Sequence, residues 1–329
     1  MTTNDSDIDR METTLLAAMD DQDAPAWATP DDLSRMSVEA LIADDTLGRS
    51  LASHGTIRVT GDGVTGSSAR VSEVARVMAG FQRLATAVGA AQHGDKALGR
   101  QPNAEVRRRT DLLLTASPGP GSIILTLTPA SSPITETGHG AGRVGMFAEL
   151  ETEDQLLDTA ISAAIDVFTA GNDIGPSPAE SAFVQQLGEL GPRTASAVRD
   201  LSKTLNRAGF DLEIDWQQPA RATRRVKVSA AAAAHIAATV ENSNLDEQPV
   251  PIIGEYLTVS SVQSWLIRQD DGETVTVKLG RLGENEVRGL GLGMRVHIDA
   301  IMKVETTPGG AVKTTYTAQA VHRLDDQPS

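Results

Sequence analysis

The sequence contains no cysteine, and this absence excludes several kinds of chemistry together. Without thiols the chain has no disulfide, no thiolate metal site, no iron–sulfur cluster and no cysteine nucleophile. Aromatic residues are also scarce, at 3% of the chain, so alanine, valine and leucine must fill most of the core. The 329 residues are enough for two domains of ordinary size with a sizeable core.

Long apolar runs are missing as well. No segment approaches the roughly 20 apolar residues that a membrane-spanning helix needs. The acidic and polar N-terminus does not have the pattern of a signal peptide. We therefore expect no membrane association and a cytoplasmic location.

The sequence also lacks the familiar catalytic motifs. None of its six histidines has metal-motif spacing to another histidine, and no serine stands in a nucleophile-elbow pattern. His139 lies in a glycine-rich segment near Arg143, so this pair is the candidate for proton chemistry. We favour the interpretation that both are ordinary loop residues. The sequence predicts no cofactor and no metal.

A short segment of Pro, Gly and Ser at residues 117–122 separates two apolar runs between Leu112 and Pro129. A phosphate-binding loop requires a helix directly after the glycines, because the helix N-terminus binds the anion. Here a β-branched run follows, and the two prolines remove two backbone donors. The segment therefore predicts a hairpin turn between two strands.

The net charge of −15 is unevenly distributed along the chain. Residues 1–54 hold 12 acidic and 3 basic residues, whereas residues 55–130 hold 5 acidic and 9 basic residues. The first segment is predicted to be an acidic helical arm or tail. Such an arm could dock on a partner, but we favour a solvated extension packed on its own domain.

Residues 55–243 are predicted to form an α+β domain, with a mostly antiparallel sheet of about five strands covered by helices. A broad apolar stripe predicts a helix from Val71 to Val88. The sequence from Ser177 predicts a capping box at the start of a helix, and a further helix runs from Pro192 to Gly209.

A hairpin near the end of this domain has a predicted register. Apolar and acidic residues alternate from Phe210 to Trp216, and Thr223 to Val228 is the expected partner strand. Pairing Ile214 with Val226 puts Asp215 opposite Arg225 and Glu213 opposite Lys227, so opposite charges face each other.

The C-terminal part changes character. Residues 244–249 are predicted to be a linker, residues 250–324 a small β-barrel, and residues 325–329 a tail. The predicted order is three strands, a short helix and two strands. In topology alone, this order resembles an OB-type barrel.

Two basic groups and three aromatic residues are the candidate binding residues. Arg107, Arg108 and Arg109 are expected at the start of a strand, with Arg107 and Arg109 on one face. The second group and the aromatic residues of the barrel are Arg221, Arg224, Arg225, Lys227, Tyr256, Trp265 and Tyr316. If the two strands were neighbours, the cations could form one anion-binding patch. The favoured alternative is that nearby acids neutralise them.

These features favour a non-catalytic modular binding or assembly protein, a subunit of a bacterial multi-protein or homo-oligomeric complex. Its partner would be another protein or a second copy. The alternative is a nucleic-acid-binding protein, with bases stacked on the barrel aromatics and phosphates on the two basic groups. An enzyme centred on His139 and Arg143 is the third hypothesis. A defence or toxin–antitoxin accessory role is compatible with the acidic charge, but no motif in the sequence points to it specifically.

Overall fold

The computed structural model describes residues 53–99, 101–116, 123–131, 155–218, 221–307 and 311–324, all of which belong to one compact unit. Almost all of the predicted arm, the 117–122 turn, His139, Arg143 and the C-terminal tail lie outside these ranges. Within the described residues, no helix is long and apolar enough to cross a membrane.

The first part of the chain contains a five-stranded sheet. Its strands are β1 (His54–Thr60), β2 (Leu112–Ala116), β3 (Ile123–Pro129), β4 (Asp211–Gln217) and β5 (Arg224–Val228). Every neighbouring pair is antiparallel, in the order β2-β3-β1-β4-β5. The predicted antiparallel sheet is therefore confirmed, and so is the pairing of β2 with β3.

The β4–β5 hairpin has the predicted register. Ile214 pairs with Val226, Asp215 with Arg225 and Glu213 with Lys227. The apolar residues of β4 are buried, while the three acidic residues between them are partly exposed. A one-residue slip would bury these acids, so the burial of the apolar face maintains the register.

Helices cover the apolar face of the sheet. They are α1 (Val71–Gln92), α2 (Ala104–Arg109), α3 (Leu156–Asn172), α4 (Ala182–Leu190), α5 (Pro192–Ala208) and α6 (Ala230–Asn242). Apart from α2, their buried side chains form one core with the sheet, which includes Phe81, Phe168 and Trp216. The α5 helix ends as predicted, because Gly209 takes the left-handed conformation with φ of +64°.

The predicted capping box at Ser177 is wrong. Residues Pro178–Glu180 form a short 3₁₀ turn, and the side chain of Ser177 caps nothing. The cap of α4 is Ser181, whose hydroxyl accepts a hydrogen bond from the backbone N–H of Val184 at 3.3 Å. The proline and the glutamate therefore belong to a turn that precedes the helix.

The C-terminal part forms a second sheet, here called the ring. Its elements are β6 (Glu247–Thr258), β7 (Trp265–Gln269), β8 (Thr274–Lys278), α7 (Glu284–Val287), β9 (Arg295–Thr306) and β10 (Val312–Arg323). The strands close in the order β10-β8-β7-β6-β9, with β8 and β10 parallel and the other pairs antiparallel. The predicted order of three strands, a short helix and two strands is confirmed.

The predicted linker is too long. The α6 helix ends at Asn242 and β6 begins at Glu247, so only residues 243–246 connect them. Residues 247–249 pair with β9, and Asp246 is fully buried. The connection is therefore short and its last residue is part of the interior.

Candidate functional site

A cleft of about 640 Å³ lies between the helices and the ring. The α1 helix, the segment after it and α2 form one side, and β9 and β10 form the other. The charged residues that line it are Arg83, Arg107, Arg108, Arg193 and Asp111, and the apolar wall includes Leu98, Val304, Val312 and Tyr316. Among the lining residues that the structure describes, four guanidinium groups thus face one carboxylate.

The outer arginines belong to α2. Asn103 caps this helix by accepting a hydrogen bond from the backbone N–H of Glu105 at 3.0 Å, and Val106 is buried against Ala90 and Leu156. The predicted strand start at Arg107–Arg109 is therefore wrong, since a local cap and one apolar anchor favour a six-residue helix.

The α2 geometry leaves Arg107 and Arg108 exposed and Arg109 half-buried. Arg108 donates to the Glu105 carboxylate at 2.7 Å, and this hydrogen bond lowers the pKa of Glu105. Arg107 makes no side-chain hydrogen bond or ion pair with any residue that the structure describes. These two arginines stand at the accessible side of the cleft.

The inner arginines are held by the protein. Arg83 donates to Asp200 at 2.5 Å, to Thr306 at 2.7 Å and to Ser196 at 2.8 Å. Arg193 donates through Nε to the carbonyl oxygen of Ala97 at 2.9 Å and through Nη2 to Asp95 at 3.0 Å. Burial lowers the pKa of Arg193, although an arginine remains charged at neutral pH.

Behind the cleft, a buried ion cluster joins α5 to the ring. Arg199 is fully buried and forms an ion pair with Asp246, which is also fully buried. Arg199 also donates to the carbonyl oxygen of Val304 on β9 at 2.7 Å, and Lys303 lies 3.1 Å from Asp246. Because buried charges need partners in fixed geometry, this cluster, here called the junction, holds the ring against α5.

Asp200 links the junction to the cleft. Its carboxylate accepts hydrogen bonds from Arg83, from Arg199 and from the backbone N–H of Thr306. Burial acts to raise the pKa of Asp200, but Arg199 and Arg83 outweigh that effect and lower the pKa below its usual value. Asp200 is thus charged at neutral pH and fixes Arg83 at the cleft.

The second basic group lies elsewhere. It belongs to β5 and the residues before it, and β5 and β2 are the opposite edge strands of the sheet. Arg225 is paired with Asp215 and Arg224 with Asp166, and the hydrogen bond to Asp215 raises the pKa of Arg225. Arg221 and Lys227 are exposed near the same edge. The two basic groups therefore do not form one patch.

The three candidate aromatic residues of the ring differ in burial. Tyr256 and Trp265 are buried in the core of the ring, at 1% and 0% exposure, with their ring centroids 5.4 Å apart. Their predicted role as stacking surfaces is wrong, because they face the inside of the closed sheet. Tyr316 is partly exposed and lines the cleft. Desolvation raises the pKa of both tyrosines.

A second cleft, of about 620 Å³, lies beside α3 and the 3₁₀ turn. Its carboxylates are Asp166, Asp173 and Glu180, and the first of these is paired with Arg224. Within the described ranges, no three His, Asp or Glu side chains are grouped so that they could hold a metal ion. This acidic cleft therefore offers no metal site of that kind.

Sequence patterns do not single out Arg83 or Arg193, and they do not place Arg107 beside Tyr316. The hydrogen bonds of Arg83 reach residues 113 to 223 positions away along the chain, so no local spacing signals the cleft.

Comparison with known proteins adds no assignment. No protein-family model matches this chain, and no curated protein and no solved structure matches it either. Any functional conclusion therefore depends on the residues and their geometry.

Proposed function

We propose that this chain is a non-catalytic binding protein that assembles with a second copy of itself through the edge strand β2. The observation that carries this proposal is the exposure of two consecutive leucines on that strand. Leu113 is 49% exposed and Leu114 is 60% exposed. Exposed apolar residues on an unpaired strand favour protein contacts.

The edge itself supports the same proposal. Among the strands that the structure describes, β2 pairs with β3 alone, so one side of its backbone is available for a further strand. Natural edge strands usually carry charges that prevent such pairing, whereas the exposed side chains at the centre of β2 are leucine. Antiparallel pairing of two β2 strands would be symmetric, with the same residues contributed by both copies.

The experiment is sedimentation of the full chain over a range of concentrations. We expect a monomer–dimer equilibrium for the natural sequence and a shift toward monomer for Leu113→Thr with Leu114→Thr, since threonine suits a strand but removes the apolar contact. The control is Leu292→Thr, which changes a leucine that is 73% exposed elsewhere and should leave the equilibrium unchanged.

The lack of native cysteine allows a second readout. A single Leu114→Cys variant should form a covalent dimer under mild oxidation if two β2 strands pair with Leu114 opposite its own copy. A monomer at every concentration without crosslinking contradicts self-assembly. A dimer that the double threonine variant leaves intact contradicts the assigned surface.

We also propose that the ring is an OB-type barrel. The parallel pairing of β8 with β10 and the position of α7 between the third and fourth strands support this topology. The alternative function, nucleic-acid binding with stacking on Tyr256 and Trp265, loses support from their burial. The third aromatic residue, Tyr316, lines the cleft described above.

A further inference from the structure

We propose that the cleft between the helices and the ring binds a nucleoside phosphate. Arg107 and Arg108 would hold the phosphate, and the base would lie against Tyr316 and the apolar wall beside it. The exposed leucines of β2, Leu113 and Leu114, do not line this cleft, and the proposal does not depend on assembly.

The lining of the cleft offers guanidinium groups to an anion, and three of them also have carboxylate partners beside the cleft. Four arginines line it, and the carboxylate among the described lining residues is Asp111. Arginine is well suited to phosphate, because its planar guanidinium donates two parallel hydrogen bonds. An anion in this cleft would therefore meet guanidinium donors.

The inner and outer arginines differ in their availability. Arg83 and Arg193 are committed to Asp200, Asp95 and backbone oxygens, so they form the base of the cleft. Arg107 has no side-chain partner among the described residues. The Arg108–Glu105 pair is about half exposed on both sides, and such surface pairs are weak in water. A phosphate could therefore bind the Arg107 guanidinium directly and compete with Glu105 for that of Arg108.

The other wall suits a flat, largely apolar group. Tyr316 is partly exposed there, and Leu98 and Val304 lie buried beneath the same surface. An aromatic ring at the edge of a cleft offers a stacking face to any base. The volume of about 640 Å³ lies within the range of small-molecule sites, which is roughly 300–1,000 Å³.

The charge of the whole molecule favours a short ligand over a long polyanion. The net charge is −15, and two cations at the β5 edge, Arg224 and Arg225, are paired with acids. Among the described residues, the cations of the cleft and of β5 thus do not form the continuous basic track that a long strand requires. The ligand is either a free nucleotide or the end of a single strand, which share the same chemistry.

The test is titration calorimetry of the full chain with ATP, with a short oligothymidylate and with inorganic phosphate. We expect ATP to bind, and Arg107→Gln with Arg108→Gln to weaken its binding about tenfold or more, because charge-assisted hydrogen bonds are lost. The matched control is Arg268→Gln, which removes an exposed arginine paired with Glu255 on the ring. It should bind ATP as the natural sequence does.

The wall is tested with Tyr316→Leu, after circular dichroism has shown that the variant is folded. Its affinity for ATP should fall, while any binding of inorganic phosphate should stay unchanged, because phosphate does not use the wall. Tighter binding of oligothymidylate than of ATP, weakened by the same arginine changes, supports a strand end as the ligand.

Three results would overturn the proposal. They are no binding of ATP or oligothymidylate at millimolar concentration, equal binding by the double glutamine variant, and an equal loss in the Arg268→Gln control. The Leu113→Thr with Leu114→Thr variant should bind ATP normally, so failure of the assembly proposal and failure of this one are distinguishable.

Discussion

Arg199 at the junction and Arg225 at the sheet edge each pair with an aspartate, yet their surroundings are opposite. Arg199 and Asp246 are both fully buried, whereas the side chain of Arg225 is 64% exposed and that of Asp215 is 28% exposed. Water can solvate the exposed pair when it separates, but it cannot reach the buried one. The same two residue types therefore constrain the structure in one region and contribute little in the other.

The cleft lies between these extremes. Its inner arginines resemble Arg199, since they are held by acids and backbone oxygens, and its outer arginines resemble Arg225 in exposure. Burial thus divides the arginines into those that hold the fold and those that remain accessible to a ligand.

The largest effect is expected from Arg199→Met. Removing this cation leaves Asp246 buried beside Lys303 alone, and breaking a buried ion pair costs about 3–5 kcal/mol of stability. Urea unfolding measures this loss. The matched Arg225→Met variant should keep nearly the unfolding midpoint of the natural sequence.

A second variant tests whether the instability of Arg199→Met comes from the buried charge of Asp246. Arg199→Met combined with Asp246→Leu replaces both buried charges with apolar groups and should recover much of the stability. If the double variant is as unstable as the single one, the loss of the Arg199 partner of Asp246 is not the cause.

An intermediate and pH-dependent effect is expected from Asp200→Asn. The pKa of Asp200 in the folded protein lies below its usual value of 3.8. Its contribution to stability is therefore present above that usual value and is lost as the pH falls through the folded-state pKa. At neutral pH we expect Asp200→Asn to lower the free energy of unfolding by about 1–3 kcal/mol.

Thermal unfolding between pH 7 and pH 2 checks this expectation. The difference between the natural sequence and Asp200→Asn should shrink below about pH 4, where Asp200 begins to protonate in the unfolded chain. A difference that stays constant to pH 2 would assign the effect to packing rather than to charge.

The smallest effect is expected at the exposed edge. Arg225→Glu places a second carboxylate opposite Asp215, and like charges on facing strands repel. The melting temperature should fall slightly, and adding Asp215→Lys should restore it. A loss as large as that of Arg199→Met would remove the contrast between the two regions.

Local patterns predicted some elements well. The β4–β5 register follows from alternation within one hairpin, because a shift by one residue would bury Asp215 and expose Ile214. The bounds of α5 follow from Pro192 and Gly209, whose backbone preferences are local.

Other predictions failed for identifiable reasons. The alternation of apolar and polar residues shows which residues of a strand share a face. It does not show which face becomes the interior of a closed ring, so the prediction that Tyr256 and Trp265 form an exposed binding surface is wrong. The predicted strand start at Arg107–Arg109 is wrong because Asn103 caps a short helix that contains this run. The exact start of β6 was missed because residues 247–249 pair with a strand that lies far along the chain.

The sequence by itself determined the α+β composition, the charged hairpin and the order of elements in the ring, since these depend on neighbours within one or two elements. Only the tertiary structure decided that Arg107 and Tyr316 share a cleft and that Arg199 meets Asp246. These contacts join residues distant in sequence, and they exist because closing the ring and packing it on α5 bring the side chains together. Burial at that packing surface then sets which charges are fixed and which remain accessible.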